Sequence, residues 1–526
     1  MKLDWRPFRW SVPGDGRGAL SFPPGPRVDR RHRADRRSAR RAAHPRALGC
    51  WVTAPAERAS PAQSPGRLAS ATIPFTYHAV PDIESRNARE KDGSPCPSRA
   101  LLWSYTWAYL EPVSLRCAPD CSKCTMPVSA ARRHSGFVGP LLMQKPFDDF
   151  YAGKSVMVTG DTGFKGSWLS IWLTRLGARV VGYALEPPSE PSNFAVCDLG
   201  SRLKHTQADV RDFDSLLSFM HEHQPSIVFH LAAQSLVRYS FKHPKQTFDV
   251  NVMGTTNVLQ AARQTDSVTT VVAITSDKCY RNVEWEWGYR ETDRLGGYDA
   301  YGASKACAEL VIEAYRDSKF QDVTEPIRRV AVASARAGNV IGGGDWALDR
   351  IVPDAVRAIV ANEPLTLRNP LATRPWQHVL EPLSGYLWLG RLLNQNPVLF
   401  SDAWNFGPSP GNIYSVQQLI ERLYARWRNS KSDIQIASGT TVGESHLLAL
   451  DCSKARHHMG WEATWTIDET ADAIANWYRT FYEERPDDMY EFTVKQIERY
   501  ENAAHNRGQR WASPNVDEND VAADHG

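Results

Sequence analysis

From Lys154 onward the chain repeats one alternation: a short apolar run, then a longer stretch with apolar residues at helical spacing. "SVMVT", "ARVVGYAL", "SIVFHLAAQ" (Ser226 to Gln234), "TTVVAITS" and "RRVAVASARAGNV" are the apolar runs, with "HTQADV" a weaker one ending in Asp209. Continuous runs rich in β-branched residues predict strands buried on both faces. Between them, Trp168, Leu169, Trp172, Leu173 and Leu176 recur at helical spacing, and "FDSLLSFMHEH" and "TFDVNVMGTTNVLQAAR" read as helices. This alternation predicts an α/β fold with a doubly wound parallel sheet. Ligands of such sheets bind beyond the carboxyl ends of the strands.

The first 142 residues have no such pattern. "RVDRRHRADRRSARRAAHPR" is strongly basic and almost without apolar periodicity, so the segment is expected to be a mostly disordered extension. It carries 23 basic against 11 acidic residues, while the rest carries 39 against 48, so the net charge of +3 hides two opposite regions. The acidic balance of the globular part argues against nucleic acid as its partner. Met143 is a candidate start. Cys117, Cys121 and Cys124 are spaced as in some iron–sulfur sites, but a different fold begins about 30 residues later, so no metal is expected. The scattered remaining cysteines fit a reducing, cytoplasmic setting. No run of about 18 apolar residues predicts a membrane span.

Gly160, Gly163 and Gly166 fall between a strand and a helix. Glycines there let the backbone approach a pyrophosphate, with the helix N-terminus facing it, as in a Rossmann-like fold. The acid that usually closes the second strand is missing: Ala184 stands there, with Glu186 two residues later. No Arg directly occupies the position, which favours NAD over NADP.

"VVAITSDKCY" ends an apolar strand in Ser276, Asp277 and Lys278, at a carboxyl edge of the sheet. Side chains alternate along a strand, so these three can face one ligand only if the chain bends there. About 25 residues later, Tyr301 and Lys305 lie four apart, on one face of a helix. A phenol of pKa near 10 is a poor base at neutral pH, and a neighbouring ammonium favours its phenolate.

These motifs, with "VTGDTGFKGSWLSIWL", "TSDKCYRNVEWEWGYRE", "GGYDAYGASKACAEL", "ARAGNVIGGGDWALDRIVPD" and "RPWQHVLEPLSGYL", resemble the extended short-chain dehydrogenases that act on nucleotide sugars, the CDP-glucose 4,6-dehydratases above all. The resemblance runs from about Tyr151 to about Tyr500. It implies an NAD-binding domain over 150–336, a smaller and mainly sugar-nucleotide-binding domain over 337–505 that partly returns to the first, and a disordered tail over 506–526. It also implies a dehydration of CDP-glucose with no net redox change. Ser276, Tyr301 and Lys305 would serve oxidation at carbon 4. Asp277 would protonate the departing 6-hydroxyl. Lys278 would take the carbon 5 proton when neutral, or only stabilise the enolate while another group takes it. The implied NAD contacts are Gly160, Thr162, Gly163, Phe164, Lys165, Gly166, Asp209, Val210, Leu231, Ala232, Ala233, Gln234, Thr275, Tyr301 and Lys305.

On the substrate side the resemblance implies Asn339 and Arg350, with Gly342 to Gly344 forming a pyrophosphate loop, and Arg374 on the diphosphate. His378 is a further candidate ligand, with a packed core histidine as the alternative. Trp285, Trp287 and Tyr289 form either a cover for the site or aromatic core. A homodimer or dimer of dimers is expected through a four-helix contact. Two rival functions remain open: a nucleotide-sugar epimerase, which needs Ser276, Tyr301 and Lys305 but no acid at 277, and a non-catalytic dinucleotide-binding protein.

Overall fold

Seven parallel strands form the central sheet of the computed structural model: β1 (Ser155–Thr159), β2 (Arg179–Ala184), β3 (Lys204–Gln207), β4 (Ile227–His230), β5 (Thr270–Ile274), β6 (Ala331–Ala337) and β7 (Ala403–Phe406), in the order β7-β6-β5-β4-β1-β2-β3. The structure describes residues 145–316, 330–409, 411, 413–427, 433–436 and 447–513. The basic extension, Cys50, Cys96, Cys117, Cys121 and Cys124, and residues 514–526 lie outside these. No described helix is long and apolar enough to cross a membrane.

The continuous apolar runs have the expected cause, since side chains of each strand alternate between two cores. Val156, Val158, Phe229 and Val272 face one cluster, and Met157, Val228, Val271 and Val181 face the other. On the first side lie α1 (Phe164–Arg175), α6 (Leu380–Gln395) and α9 (Tyr490–Asn506); on the second lie α2 (Phe213–His223), α3 (Gly254–Arg263) and α4 (Ala300–Arg316). Helix α1 is buried nearly all round because α9 covers the face turned from the sheet. The Trp172 indole N–H donates to Glu501 at 2.8 Å.

The chain past residue 337 supplies β7, the outermost strand on the β6 side, as well as α5 (Ile351–Ala361), α7 (Val416–Arg426) and α8 (Ile467–Arg479). The strand order reverses between β1 and β4, whose last residues, Thr159 and His230, are in register. That reversal opens a crevice at the carboxyl edge. His230 clamps its floor, bonding Thr159 Oγ1 at 2.8 Å and Thr255 Oγ1 at 3.0 Å, and burial holds its ring down at about 3.

Candidate active site

The glycine turn leaves β1 at Gly160, whose φ of +77° suits a residue without a Cβ. A Cβ there would lie 2.8 Å from the Ala232 nitrogen, and one on Gly166 would lie 2.0 Å from the Gly160 carbonyl oxygen. The turn therefore packs as a bare backbone surface against the end of β4 and the first turn of α1, a cradle suited to a dinucleotide pyrophosphate. Thr162 Oγ1 donates to the Leu185 carbonyl at 2.9 Å and ties the turn to the end of β2. Asp161 is fully buried beneath it against Gly182, and its Oδ2 meets His205 Nδ1 at 2.8 Å.

At the end of β5 the chain makes the expected bend. Ser276 is extended, and Asp277–Cys279 form one 3-10 turn whose first free N–H, from Lys278, reaches Ser276 Oγ at 3.3 Å. The bend keeps both Ser276 and Asp277 buried in the pocket. Ser276 Oγ donates to Asp277 Oδ1 at 2.9 Å and stands near enough to the Tyr301 phenol to favour its phenolate. The other Asp277 oxygen faces Gly338, where a Cβ would come within 3.2 Å. Lys278 is half-buried, and its Nζ makes no hydrogen bond or ion pair among the described residues.

Helix α4 presents Tyr301, Lys305 and Glu309 on one face. Lys305 Nζ donates to the Ile274 carbonyl at 3.2 Å, and burial lowers its ammonium to about 8 against the pull of Glu309. Glu309 in turn bonds Thr275 Oγ1, Ser334 Oγ at 2.7 Å and Arg336 Nη2 at 2.8 Å, pinning α4 to β5 and β6. The Tyr301 phenol is not brought toward phenolate in this pocket. Burial pushes it up to about 12, with Asp277 and Asp299 adding to that and the Ser276 hydrogen bond and Arg350 opposing. The guanidinium of Arg350 is held between Asp345 Oδ2 at 2.9 Å and Ser235 Oγ at 3.3 Å.

Other expected contacts divide. Ala232 N–H donates to Thr159 Oγ1 at 3.2 Å, so Leu231, Ala232 and Ala233 leave β4 beside the glycine turn. Gln234 is fixed there by Asn251, whose Oδ1 accepts from its N–H at 2.9 Å. Asn251 also donates to Ser304 Oγ at 2.8 Å and so joins the loop to α4; sequence reading passed over it as one polar residue in "DVNVM". Asp209 is paired with Arg211, which carries its carboxyl below the usual range. Val210 packs on Gly254. Thr275 spends its hydroxyl on Glu309.

The carbonyl of Asn339 accepts from Gln377 N–H at 3.1 Å, and Arg374 Nη1 donates to the Thr373 carbonyl at 2.8 Å. His378 belongs to the core: it is wholly buried between Trp168 and Trp465, bonds Gln496 at 3.2 Å, and burial holds it down at about 3. Gly342 to Gly344 pack closely on protein. A Cβ on Gly343 would lie 2.2 Å from the Trp477 ring, and Gly344 abuts Asn193. Trp285 and Trp287 are exposed, whereas Tyr289 is buried on Tyr280.

Two further residues enter the pocket. Tyr386, fully buried on α6, accepts at 3.5 Å from the Nζ of Lys165, which reaches it from the first turn of α1. Tyr386 lies in an apolar helix and gives no sequence signal. Lys165 was expected at the cofactor; its charged neighbours here are Lys305, Arg350 and Asp277.

Residues 157–474 match the family model described as GDP-mannose 4,6 dehydratase. The chain is 45% identical over 355 residues to the CDP-glucose 4,6-dehydratase of Salmonella typhimurium, covering 68% of this chain and 98% of that protein. Among solved structures, a double mutant of the dTDP-glucose 4,6-dehydratase DesIV of Streptomyces venezuelae, with NAD and DAU bound, superposes with a TM-score of 0.53 at 22% identity, covering 62% of this chain and 96% of that one. The UDP-glucose 4-epimerase of Thermotoga maritima does so with a TM-score of 0.54 at 19% identity, covering 62% and 100%. The structural likenesses establish the shared fold. The matches to the family model and to the Salmonella enzyme, over a crevice with this arrangement of Ser276, Asp277, Tyr301 and Lys305, establish that the chain belongs to the GDP-mannose 4,6 dehydratase family.

Proposed function

We propose that this chain is a CDP-glucose 4,6-dehydratase that converts CDP-glucose to CDP-4-keto-6-deoxyglucose and water. The observation that carries the reading is Asp277. It is a buried carboxyl hydrogen-bonded to Ser276 and close to Tyr301, so an acid and an oxidation centre share one pocket. The 45% identity to the Salmonella enzyme supports the choice of sugar nucleotide.

NAD fits the bare glycine cradle and would be held there by Gly160, Gly163 and Gly166, with Lys305 and Tyr301 at its reactive end. When bound, NAD supplies a hydride acceptor for carbon 4 and a donor for carbon 6.

The chain's own residues move the protons. With its phenol near 12, Tyr301 keeps its proton in the resting pocket. It accepts the 4-hydroxyl proton as its own passes to Ser276 and the Ser276 proton passes to Asp277. Oxidation thereby leaves Asp277 protonated, the state a general acid needs. The 4-keto group acidifies carbon 5, and Asp277 protonates the departing 6-hydroxyl. Each proton lost from the 4-hydroxyl thus leaves as part of water. Arg350 faces this chemistry and would meet the diphosphate or the sugar.

A homodimer is the expected assembly, with Met253 and Leu310 among the apolar residues exposed just before α3 and on α4. An epimerase on the same fold uses Ser276, Tyr301 and Lys305 and has no step for Asp277. The test is purified protein with CDP-glucose, UDP-glucose and dTDP-glucose, following the 4-keto product by its absorbance in base, without added NAD. Keto product from CDP-glucose is expected. Inversion at carbon 4 without loss of water would make it an epimerase.

A further inference from the structure

Helix α4 carries a third buried ionisable residue that the proton transfers above do not use. Glu309 stands one turn beyond Lys305, as Lys305 stands one turn beyond Tyr301, so the three share a face. Lys305 and Glu309 grip the same stretch of chain. Lys305 Nζ donates to the Ile274 carbonyl at 3.2 Å, and the next residue, Thr275, donates its hydroxyl to Glu309 Oε1. The other carboxylate oxygen turns toward β6, where it accepts from Ser334 Oγ at 2.7 Å and from Arg336 Nη2 at 2.8 Å. One oxygen therefore lies beside the strand end that holds Lys305, and the other lies beside Arg336.

We propose that Glu309 is a positioning residue for the oxidation, holding Lys305 as an ammonium beside Tyr301; this rests on the dehydratase reading. A buried ammonium whose one acceptor among the described residues is a neutral carbonyl needs an anion nearby. The ionisable groups whose fields reach Lys305 are Glu309 on its own helix, Cys279 on the turn after β5, His230 on β4 and Lys165 on α1. Burial pushes the Cys279 thiol well above its usual range and holds His230 down at about 3, so both are neutral near pH 7. Lys165 can only add positive charge. Among these groups Glu309 is the one anion. Burial works against its ionised form, but Arg336 and the hydrogen bonds from Arg336, Thr275 and Ser334 outweigh burial and bring the carboxyl below its usual value. Burial lowers Lys305 to about 8 against the pull of this carboxylate.

The arrangement has a direct use. As Tyr301 passes its proton to Ser276, its oxygen gains negative charge, and an ammonium one turn away offsets that charge. A neutral Lys305 would not. Oxidation should therefore fall as pH rises through about 8 and Lys305 loses its proton. Removing the Glu309 charge leaves Arg336 as an uncompensated cation, lowers Lys305 further and moves that fall to lower pH. A clamp that merely holds α4 in place would change the rate and the melting midpoint without moving the fall.

The test follows reduced nicotinamide formed in a single turnover of CDP-glucose by the full-length holoenzyme, across pH, for the wild type, Glu309→Gln, Glu309→Asp and Ser334→Ala. Wild-type turnover is read first, since its absence sinks the dehydratase reading itself. Glu309→Gln should move the alkaline fall of the oxidation rate down by about one pH unit or more, the size of shift that a nearby opposite charge produces. Glu309→Asp keeps the charge and should return the fall toward its wild-type position. Ser334→Ala removes one donor of the clamp and none of the charge, so its fall should stay in place. The proposal is overturned if Glu309→Gln, shown to be folded by its melting midpoint, keeps the wild-type fall, or if Ser334→Ala moves it as far. It is also overturned if wild-type oxidation stays level from about pH 7 to 10, a result that needs no variant to fold.

Discussion

Ser276 Oγ donates to Asp277 Oδ1 at 2.9 Å and stands near enough to the Tyr301 phenol to favour its phenolate, so one hydroxyl lies between the oxidising phenol and the acid of the elimination. The link is local. Extended backbone at Ser276, followed at once by a 3-10 turn, puts two consecutive side chains on the same side of the chain. A straight strand would have sent them to opposite faces.

Removing that hydroxyl should therefore damage the first step. Ser276→Ala is expected to slow turnover by roughly 10²–10⁴-fold, the range for losing a positioned proton-transfer group. Little reduced nicotinamide should build up, because oxidation becomes slow. Ser276→Thr keeps a hydroxyl and should recover most of the rate. A fast oxidation burst in Ser276→Ala would rule out the relay.

Asp277→Asn should stop the relay at its far end. An amide still accepts the Ser276 hydrogen bond, so the pocket stays assembled, but it can neither take the relayed proton nor supply one to the leaving hydroxyl. Reduced nicotinamide should build up as slowly as in Ser276→Ala, and keto product should appear roughly 10²–10⁴-fold more slowly. A fast near-ultraviolet absorbance burst in a stopped-flow mixing experiment would show that Asp277 is not where the proton goes.

The sheet was legible because strands buried on both faces write continuous apolar runs, and the Gly160 turn was legible because close backbone approach demands glycine. The Ser276–Asp277 bend could be inferred from the need for both side chains at one ligand. What the sequence concealed was direction. His378 and Arg350 are both polar residues near "RPWQHV" or "GGGDWALDR", yet one is sealed between Trp168 and Trp465 and the other faces Tyr301. Gly343 and Gly344 lie against Trp477 and Asn193, which arrive from distant parts of the chain, so that packing has no local signal. Tyr386 and Asn251 were hidden for the same reason: each matters through a partner far away in sequence.

Glu381 gives a stability prediction with a definite sign. It is buried on α6 and accepts from the N–H groups of Thr464 and Trp465 and from Tyr500, yet burial still pushes it up to about 7 from 4.5. The folded state therefore binds its proton more tightly than the unfolded state. The contribution is fully present below about pH 4.5 and is lost as pH rises through about 7, worth roughly 3 kcal/mol across the window. Glu381→Gln should flatten the fall of the melting midpoint between about pH 5 and 7. An unchanged slope would assign the pH dependence to other groups.

The start of the folded core sets how much of the chain can be removed. Phe147 is almost fully buried, its ring stacked on Trp511 at 5.1 Å and edge-on to Trp172 at 5.9 Å. Tyr151 is fully buried and donates to the Leu387 carbonyl at 2.6 Å. A chain begun at Met143 keeps both and should match the full chain in melting midpoint and in turnover of CDP-glucose. A chain begun at Ser155 loses both. Deleting one buried phenylalanine side chain costs about 3–5 kcal/mol, a large part of a typical folding stability of about 5–15 kcal/mol. That shorter chain should melt far lower or fail to fold. A marked loss of turnover in the chain begun at Met143 would instead show that residues 1–142 contribute to the reaction.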